Sequence, residues 1–221
     1  MALPHILIIG ASGHGMVAAD AARAQGYGVA AFLDSFKPEG SECLGARVIG
    51  KPADLPALME RQGLTTGFLA ISNNFIRAQV ASQLAALAPG FRFATIIHPA
   101  AWVSPTATVA EGTLILAGAV VNAACRVGAH AIVNTKASLD HESEMEPFSS
   151  LLPGVTTGGA VRIGECACVC AGATLVHQVR IGSHTVVGAG SLVLCDLPDS
   201  SLCYGAPARV IRPRQPDERH F

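Results

Sequence analysis

Aliphatic residues recur at every sixth position along the second half of this chain. Stepping by six from Ile97 to Val193 meets seventeen positions, and sixteen of them hold an aliphatic residue or Met. A second series of small residues lies four positions after these, as at Ala119, Ala131 and Ala173. A period of six matches neither the 3.6-residue α-helix nor the two-residue β-strand. It is typical of a β-solenoid with three short faces per coil, in which the aliphatic residues point inward.

Glycine or asparagine often follows the aliphatic position directly. The examples are Asn122, Gly128, Asn134, Gly158, Gly164, Gly182 and Gly188. Because these residue types adopt positive φ readily, we expect them to form the turns between faces.

The first half of the chain alternates short apolar runs with helix-like segments. The pattern predicts strands at residues 6–9, 29–33 and 68–71, and helices at residues 16–24, 55–62 and 77–87. Strands that alternate with helices indicate a parallel sheet with right-handed crossovers. The predicted fold is therefore a Rossmann-like α/β domain over residues 1–96, followed by a parallel β-helix over residues 97–221.

The composition excludes several classes of protein. Half of the 221 residues are hydrophobic, only 14% are charged, and the net charge is -1. These values argue against a disordered chain, a coiled coil or a basic nucleic-acid-binding protein. Polar residues interrupt the apolar stretches before they reach the roughly 20 residues that span a bilayer. With no basic segment ahead of the first apolar run and seven cysteines at no framework spacing, we expect a cytoplasmic protein without a signal peptide.

A glycine-rich loop, Gly10-Ala-Ser-Gly13-His14-Gly15, follows the first predicted strand and leads into a helix. Glycines at such a point let a phosphate approach the backbone, and a helix N-terminus attracts anions. The order G-x-x-G-x-G differs from the dinucleotide pattern G-x-G-x-x-G. Asp34 ends the second strand, where an acidic residue often meets a ribose or a base. The combination predicts a nucleotide site.

His141 is the histidine best placed for catalysis. It lies two positions after the inward Leu139, so its side chain is expected to point outward near a corner of the coil. Asp140 and Glu142 flank it, and a neighbouring carboxylate can orient an imidazole and raise its basicity. We therefore predict that His141 is a general base.

Four motifs together resemble the PglD/NeuD family of bacterial sugar acetyltransferases. They are G-A-S-G-H-G-x-V at the glycine loop, F-L-D-S-F-K at 32–37, I-S-N-N-x-x-R at 71–77 and N-T-x-x-x-x-x-H-E at 134–142. The resemblance runs over nearly the whole chain, and the six-residue repeat resembles that of hexapeptide acyltransferases in general. It implies a left-handed parallel β-helix, a homotrimer, and an acyl donor bound between neighbouring helices.

The resemblance also implies roles for individual residues. The N-terminal domain would bind a nucleotide-linked amino sugar, with no nucleic acid or membrane partner. The residues expected to contact this substrate are Gly13, His14, Gly15, Asp34, Ser35, Lys37, Ser72, Asn73, Asn74 and Asn134. His141 would act as the base, with Glu142 holding its tautomer. The acetyl group would come from acetyl-CoA by direct attack on the thioester, with no metal and no acyl-enzyme.

Acetyl-CoA contacts are expected along the β-helix and at its end. The ending Tyr204-Gly-Ala-Pro-Ala-Arg209 is typical of hexapeptide acyltransferases, and Arg209 could pair with a CoA phosphate. By motif position, Ser150, Gly159, Ala171 and Ala189 would lie near the pantetheine arm.

The expected acceptor is the C4 amine of a 4-amino-4,6-dideoxysugar, and the resemblance favours GDP-perosamine in O-antigen or glycoprotein glycan synthesis. A carboxylate such as that of Asp34 could pair with the two N–H donors of guanine. The alternatives are a UDP-linked 4-amino sugar, a sialic acid that is O-acetylated, and a non-catalytic nucleotide-sugar-binding scaffold. A zinc enzyme resembling the γ-class carbonic anhydrases is a further alternative. His141 and His177 lie two coils apart, but His184 has the wrong phase for a third ligand.

Overall fold

The computed structural model describes residues 4–218, so the ends of the two predicted domains, 1–3 and 219–221, lie outside the described residues. The N-terminal unit is an α/β layer structure. Its strands are β1 (His5–Ile9), β2 (Gly28–Leu33), β3 (Glu42–Cys43), β4 (Ala46–Arg47), β5 (Thr66–Leu69) and β6 (Arg92–Phe93). Its helices are α1 (Gly13–Gln25), a 3₁₀ turn (Pro52–Asp54), α2 (Leu55–Gln62) and α3 (Asn74–Leu87). The main sheet has the order β2-β1-β5-β6 and is parallel throughout, whereas β3 and β4 form a small antiparallel hairpin.

The prediction for α2 is confirmed, and the other five predicted elements differ at one or both ends, by one residue at β1 and β2 and by up to three at α1, α3 and β5. Helix α1 begins three residues earlier than predicted, because its first turn is Gly13-His-Gly and carries no apolar signal. Strand β5 ends at Leu69, where its pairing with Ile9 of β1 ends. Ile71, which was predicted to belong to this strand, therefore lies in the loop beyond it.

The C-terminal unit is a β-helix whose coils repeat every 18 residues, as in the pairing of Leu114 with Ile132. Each coil contributes one two-residue strand to each of three parallel faces. The first face holds Ile96–Ile97, Leu114–Ile115, Ile132–Val133, Ser150–Leu151, Cys168–Val169, Val186–Val187 and Ser201–Gly205, with Ala208–Pro213 added antiparallel at its end. The second holds Trp102–Val103, Val120–Val121, Ser138–Leu139, Thr156–Thr157, Thr174–Leu175 and Leu192–Val193. The third holds Thr108–Val109, Arg126–Val127, Glu144–Met145, Arg162–Ile163 and Arg180–Ile181.

The six-residue series forms the core of the β-helix. From Ile115 to Val193 every member is buried, and the small residues four positions later, such as Ala119 and Ala131, are buried beside them. The predicted architecture, a Rossmann-like parallel sheet followed by a left-handed β-helix, is confirmed.

The turns between faces correct the expected role of glycine. From Val109 to Val187, the left-handed backbone occurs three positions after each member of the six-residue series rather than one, at Gly118, Ala124 and Glu142 among others. The glycines directly after the aliphatic position are needed for another reason. A Cβ on Gly128 would lie 2.7 Å from the backbone nitrogen of Pro147, and one on Gly158 would lie 2.6 Å from that of His177. These glycines therefore permit close stacking of successive coils.

The N-terminal unit packs on the first face of the β-helix. Ile96, Leu114 and Ile132 form one apolar cluster with alanines of α1 such as Ala18 and Ala22. This burial leaves the second and third faces, and the edge between them, uncovered by the N-terminal unit. No helix within residues 4–218 has the length and apolar character that crossing a lipid bilayer requires.

Candidate functional site

A cavity of about 360 Å³ opens at the carboxyl ends of β1, β2 and β5. Ligands of open α/β sheets bind at this position, outside the strand ends. Four residues predicted to contact substrate line it, namely Asp34, Ser35, Ser72 and Asn73. Apolar side chains such as Leu33 supply much of the remaining wall. The cavity therefore combines an apolar floor with a polar rim, as small-molecule sites usually do.

Asp34 organises the loops around this cavity. One carboxylate oxygen accepts a hydrogen bond from the Ala11 backbone at 2.7 Å, and the other accepts from Phe36 and Lys37 at 2.8 and 2.9 Å. Partial burial opposes ionisation, but these backbone donors outweigh it and lower the pKa of Asp34. The oxygen that already accepts two bonds has little capacity left, so the expected two-bond pairing of Asp34 with a guanine edge is not available in this arrangement.

The three glycines of the loop have different roles. A Cβ on Gly10 would lie 2.5 Å from the carbonyl oxygen of Ala70, and one on Gly15 would lie 2.0 Å from that of Gly10. These two glycines are required for the loop to pack. A Cβ on Gly13 would meet nothing within 4 Å. Gly13 is exposed at the first turn of α1, so the space above it is open to an anionic ligand.

His14 lies beside this turn with a partly buried, uncharged ring. Burial, together with the positive charge of Arg77, lowers its pKa to about 4. Its Nε2 is buried and has no hydrogen-bond partner among residues 4–218. The imidazole is therefore neutral at physiological pH.

A second cavity, of about 460 Å³, adjoins the first and shares Asp34, Ser35 and Phe36 with it. Lys37, predicted to contact the nucleoside, lines this second cavity together with Lys51. Phe36 projects between the two with 96% of its surface exposed. Its exposure cannot be inferred from a run of sequence letters, which is why sequence reasoning did not single it out.

Asn74 and Ser150 are brought together at the junction of the two units, away from solvent. Asn74 donates to the carbonyls of Cys166 and Ala167 and accepts from Ser150 Oγ at 2.7 Å and Arg77 at 2.8 Å. Both residues have an exposed fraction of 0%. Asn74 therefore has no group free for the sugar nucleotide, and Ser150 has no surface to offer to pantetheine.

Arg77, on α3, connects the same junction. Its Nε donates to the carbonyl of His130 at 2.9 Å, one terminal nitrogen donates to that of Ile71 at 2.7 Å, and the other to that of Phe148 at 2.8 Å. Burial lowers its pKa to about 10, so it remains charged at neutral pH. It ties the loop that lines the cavity to the turns of the β-helix. The final position of the I-S-N-N-x-x-R motif was the available signal for this residue.

His141 projects from the edge between the second and third faces of the β-helix. Its Nδ1 lies 3.1 Å from Glu142 Oε2, and the two side chains are 57% and 70% exposed. Glu142 sits at a left-handed turn with φ of 57°, which directs its side chain back along the edge. A carboxylate can only accept a hydrogen bond, so Nδ1 must carry the proton in this contact. Nε2 then presents a lone pair to solvent.

Asp140, the other neighbour of His141, has no contact with the ring. Its Oδ1 accepts from the His141 backbone and from Asn122 Nδ2, both at 2.8 Å. These two bonds lower the pKa of Asp140. Asn122 lies 18 residues before Asp140, one coil earlier, and this spacing was the signal that could have found it. Asp140 thus fixes the backbone from which His141 projects.

Gly159 lies one coil after His141, directly against its ring. A Cβ at Gly159 would lie 2.4 Å from both Cε1 and Nε2 of His141. Gly159 was predicted to lie near CoA, and the structure places it where any side chain would displace the imidazole.

The remaining predicted residues lie elsewhere on the β-helix. Asn134, Ala171 and Ala189 occupy a different edge, between the first and second faces, where Asn134 Oδ1 accepts from the Thr135 backbone at 2.8 Å. Ala171 and Ala189 are exposed. Arg209 lies on the last strand with its guanidinium exposed, bonded to the Ala208 carbonyl.

The Cys166 thiol, at the junction of the two units, is a poor nucleophile. Burial raises the pKa of Cys166 to about 11, with the charge of Glu165 adding to the effect. Such a thiol is protonated at neutral pH. Within residues 4–218, no group of three His, Cys, Asp or Glu side chains is arranged to hold a metal ion.

Comparison with known proteins gives consistent matches over both units. Residues 5–84 match the family model described as the PglD N-terminal domain. The structure superposes with a TM-score of 0.89 on a histidine-to-asparagine mutant of perosamine N-acetyltransferase from Caulobacter crescentus, in complex with CoA and GDP-perosamine. The two are 38% identical, over 93% of this chain and 96% of the other.

Two further matches differ from each other in how much of each chain they cover. The acetyltransferase domain of PglB from Neisseria gonorrhoeae, in complex with acetyl coenzyme A, is 37% identical with a TM-score of 0.87, over 95% of this chain and 100% of that one. Serine acetyltransferase 2 from Arabidopsis thaliana is 42% identical over 71 residues, which are 28% of this chain and 22% of that protein. The chain spans only about a fifth to a half of the length of the curated relatives it matches.

Proposed function

The chain belongs to the PglD/NeuD-like family of sugar acetyltransferases, and from this membership we propose that it transfers the acetyl group of acetyl-CoA to an amine of a nucleotide-linked sugar. The amine is that on C4 of a 4-amino-4,6-dideoxysugar, and GDP-perosamine is the acceptor we favour. The reaction takes place in the cytoplasm, where acetyl-CoA is available.

The observation that carries this proposal is the His141–Glu142 pair beside Gly159. The 3.1 Å contact from Nδ1 to the carboxylate orients the ring and stabilises the imidazolium that forms when Nε2 takes up a proton. Because Gly159 carries no side chain, the His141 ring can lie directly against this coil, and more than half of the side chain remains exposed to reactants. A general base with an open approach is what acyl transfer to an amine requires.

The proposed reaction has one chemical centre. The neutral amine attacks the thioester carbon as the N–C bond forms, and Nε2 of His141 accepts the proton that the amine nitrogen loses. The tetrahedral intermediate collapses with cleavage of the C–S bond, and the proton passes from the imidazolium to the departing CoA sulfur. Glu142 remains ionised and keeps Nδ1 protonated throughout. General acid–base catalysis of this kind typically contributes about 10²- to 10⁴-fold to the rate.

The acceptor is assigned to the cavity of the N-terminal unit. The diphosphate lies at the first turn of α1, over Gly13 and beside His14, and the nucleoside lies toward Ser35 and Lys37. The relative solved with GDP-perosamine supports a GDP-linked sugar. Asp34 contributes by holding the loops rather than by a two-bond contact with guanine.

The distribution of residues over the β-helix supports a homotrimer with a shared donor site. His141 lies on the edge between the second and third faces, whereas Ala171 and Ala189 lie on the edge between the first and second. Residues on two different edges can both border one acetyl-CoA when the donor lies between neighbouring copies of the chain. Arg209 then pairs with a CoA phosphate.

Release of free thiol from acetyl-CoA tests the proposal, with GDP-perosamine and a UDP-linked 4-amino sugar measured in parallel. We expect rapid release with the GDP sugar. Release with the UDP sugar alone would retain the mechanism and overturn the acceptor. Release with neither sugar, but with a sialic acid, would indicate O-acetylation. Silence with all three acceptors, despite binding of the sugar nucleotide, would indicate a scaffold.

A further inference from the structure

Phe36 is an aromatic side chain displayed on a rigid loop without a role in the core. Its ring is 96% exposed, and it belongs to none of the apolar clusters formed by residues 4–218. Its backbone N–H is nevertheless fixed to Asp34 Oδ1 at 2.8 Å, and Asp34 is fixed in turn to Ala11. A fully exposed phenyl ring adds nothing to folding, since apolar side chains stabilise a fold by leaving water. The loop therefore holds this ring in place for another purpose.

The surroundings of Phe36 identify a class of ligand. On one side lies the 360 Å³ cavity, with Leu33, Ile76 and Val80 in its wall. On the other lies the 460 Å³ cavity, whose charged lining residues are Lys37, Lys51, Asp34, Glu39 and Asp54. A ligand that extends from one cavity into the other has a flat apolar part with polar groups beside it. A nucleoside diphosphate has this character.

We propose that the Phe36 ring is the stacking surface for the nucleobase of the sugar nucleotide, and that it favours a purine over a pyrimidine. This inference rests on the proposed function and deepens it. A base placed between Phe36 and the apolar wall buries both of its faces, and the larger ring system of a purine covers more of the phenyl surface. Stacking of this kind does not depend on hydrogen bonds to the base edge, which the occupied Asp34 carboxylate is poorly placed to supply.

Equilibrium binding of GDP and UDP to the full chain, measured by calorimetry, tests the proposal without any chemistry. Phe36→Ala should weaken GDP binding by about 5- to 150-fold, the range expected for loss of one base–aromatic stack. UDP binding should weaken less. Phe36→Tyr should bind GDP as the parent does, and Phe36→Leu, which keeps apolar area without a ring, should fall between the two.

The possible outcomes separate this inference from the proposed function. Tight binding of GDP that Phe36→Ala leaves within twofold of the parent would overturn the stacking role alone. Failure of the parent chain to bind either nucleotide would overturn the acceptor assignment, and the inference with it. A Phe36→Ala chain whose mass in solution falls while its GDP affinity stays unchanged would assign the ring to a contact between copies instead.

A spectroscopic variant reports on the ring directly. The chain has one tryptophan, Trp102, so Phe36→Trp in a Trp102→Phe background places the only indole at this loop. Saturating GDP should quench its fluorescence, while acetyl-CoA should not. The parent chain, with Trp102 on the second face of the β-helix, is the control. Absence of quenching by GDP would contradict stacking.

Discussion

The cavity at the sheet and the edge that carries His141 differ in how much of a site one copy of the chain completes. The cavity is concave, and its loops are tied to each other by Asp34 and to the β-helix by Arg77. The His141–Glu142 pair stands on a convex edge with more than half of both side chains exposed. Under the proposed function, a single chain thus provides a formed cavity for the acceptor, but only one wall of the catalytic site.

This difference shows that the side chains of the two regions are positioned in different ways. In the cavity, fixed side chains surround the space that a ligand fills. At the edge, the regular backbone of the coil directs one ring, and the neighbouring coil leaves room for it. In the proposed mechanism, water is excluded from His141 by the bound substrates and by a second copy of the chain, and this exclusion strengthens electrostatic interactions.

Replacing the base should give the largest effect and separate the two regions most clearly. His141→Asn should lower kcat by about 10²- to 10⁴-fold, because nothing else on this edge takes up the amine proton. The acceptor KM should change little, since the cavity is intact. Steady-state kinetics would measure both constants. His177→Asn, an exposed histidine on the same edge two coils later, is the matched control; equal losses in both variants would remove His141 from the mechanism.

Acid should lower the stability of the fold through two histidines that are held uncharged, His14 in the first turn of α1 and His130 beside Arg77. Burial lowers the pKa of His14 and His130 from 6.5 to about 4, with Arg77 adding to both shifts. The unfolded chain therefore binds more protons between these values. Their contribution to stability is complete above about pH 6.5 and is lost as the pH falls through 4. The loss is about 3 kcal/mol for His130 and less for the partly exposed His14.

Denaturant unfolding at pH 7 and pH 4.5 would measure this change. His130→Asn suits the left-handed backbone at this position, where φ is 56°. This variant should reduce the pH dependence of the free energy of unfolding by the amount that His130 contributes. An unchanged dependence would show that His130 is not held neutral.

Two adjacent glycines, Gly158 and Gly159, separate the packing of coil on coil from the packing around the His141 ring. Gly159→Ala should lower kcat by about ten- to a hundredfold, because its Cβ would push the His141 ring out of position. The fold should be preserved, since the ring can rotate away. Gly158→Ala should instead destabilise the fold by about 1–3 kcal/mol, because its Cβ would meet the backbone of the next coil. Steady-state kinetics and thermal unfolding of both variants would test this prediction. A destabilised Gly159→Ala chain with an unchanged kcat, or a Gly158→Ala chain of unchanged stability, would contradict it.

The glycine loop gives the smallest expected effect. Gly13→Val should raise the acceptor KM by up to about tenfold, through loss of the anion position at the helix N-terminus. The KM for acetyl-CoA should be unaffected, and stability should be nearly unchanged because the Cβ enters open space. Gly15→Ala, by contrast, should destabilise the fold, since its Cβ would lie 2.0 Å from the Gly10 carbonyl oxygen. A Gly13→Val chain with an unaltered acceptor KM would exclude this loop from substrate binding.

The regular part of the molecule was the predictable part. The period of six located the inward residues, and the phase of His141 relative to Leu139 placed its side chain outside near a corner, because a repeat propagates position along the chain. The sequence does not show why position 158 is glycine, since a left-handed backbone and a close approach between successive coils both favour glycine. Contacts such as Asn74 with Ser150 join residues 76 apart. Sequence spacing within the non-repetitive unit carries no information about such a distance.

The 18-residue coil has a consequence for how a protein of this kind can change. Successive strands in a sheet lie about 4.8 Å apart, and Ala160, one coil after Glu142, has nearly the same backbone, with φ of 55°. A histidine and a carboxylate transplanted by 18 residues would keep their orientation and move along the helix axis by one fixed step. The distance between such a histidine and the cavity of the N-terminal unit would therefore change in steps of one coil. This is a simple route to substrates of different length.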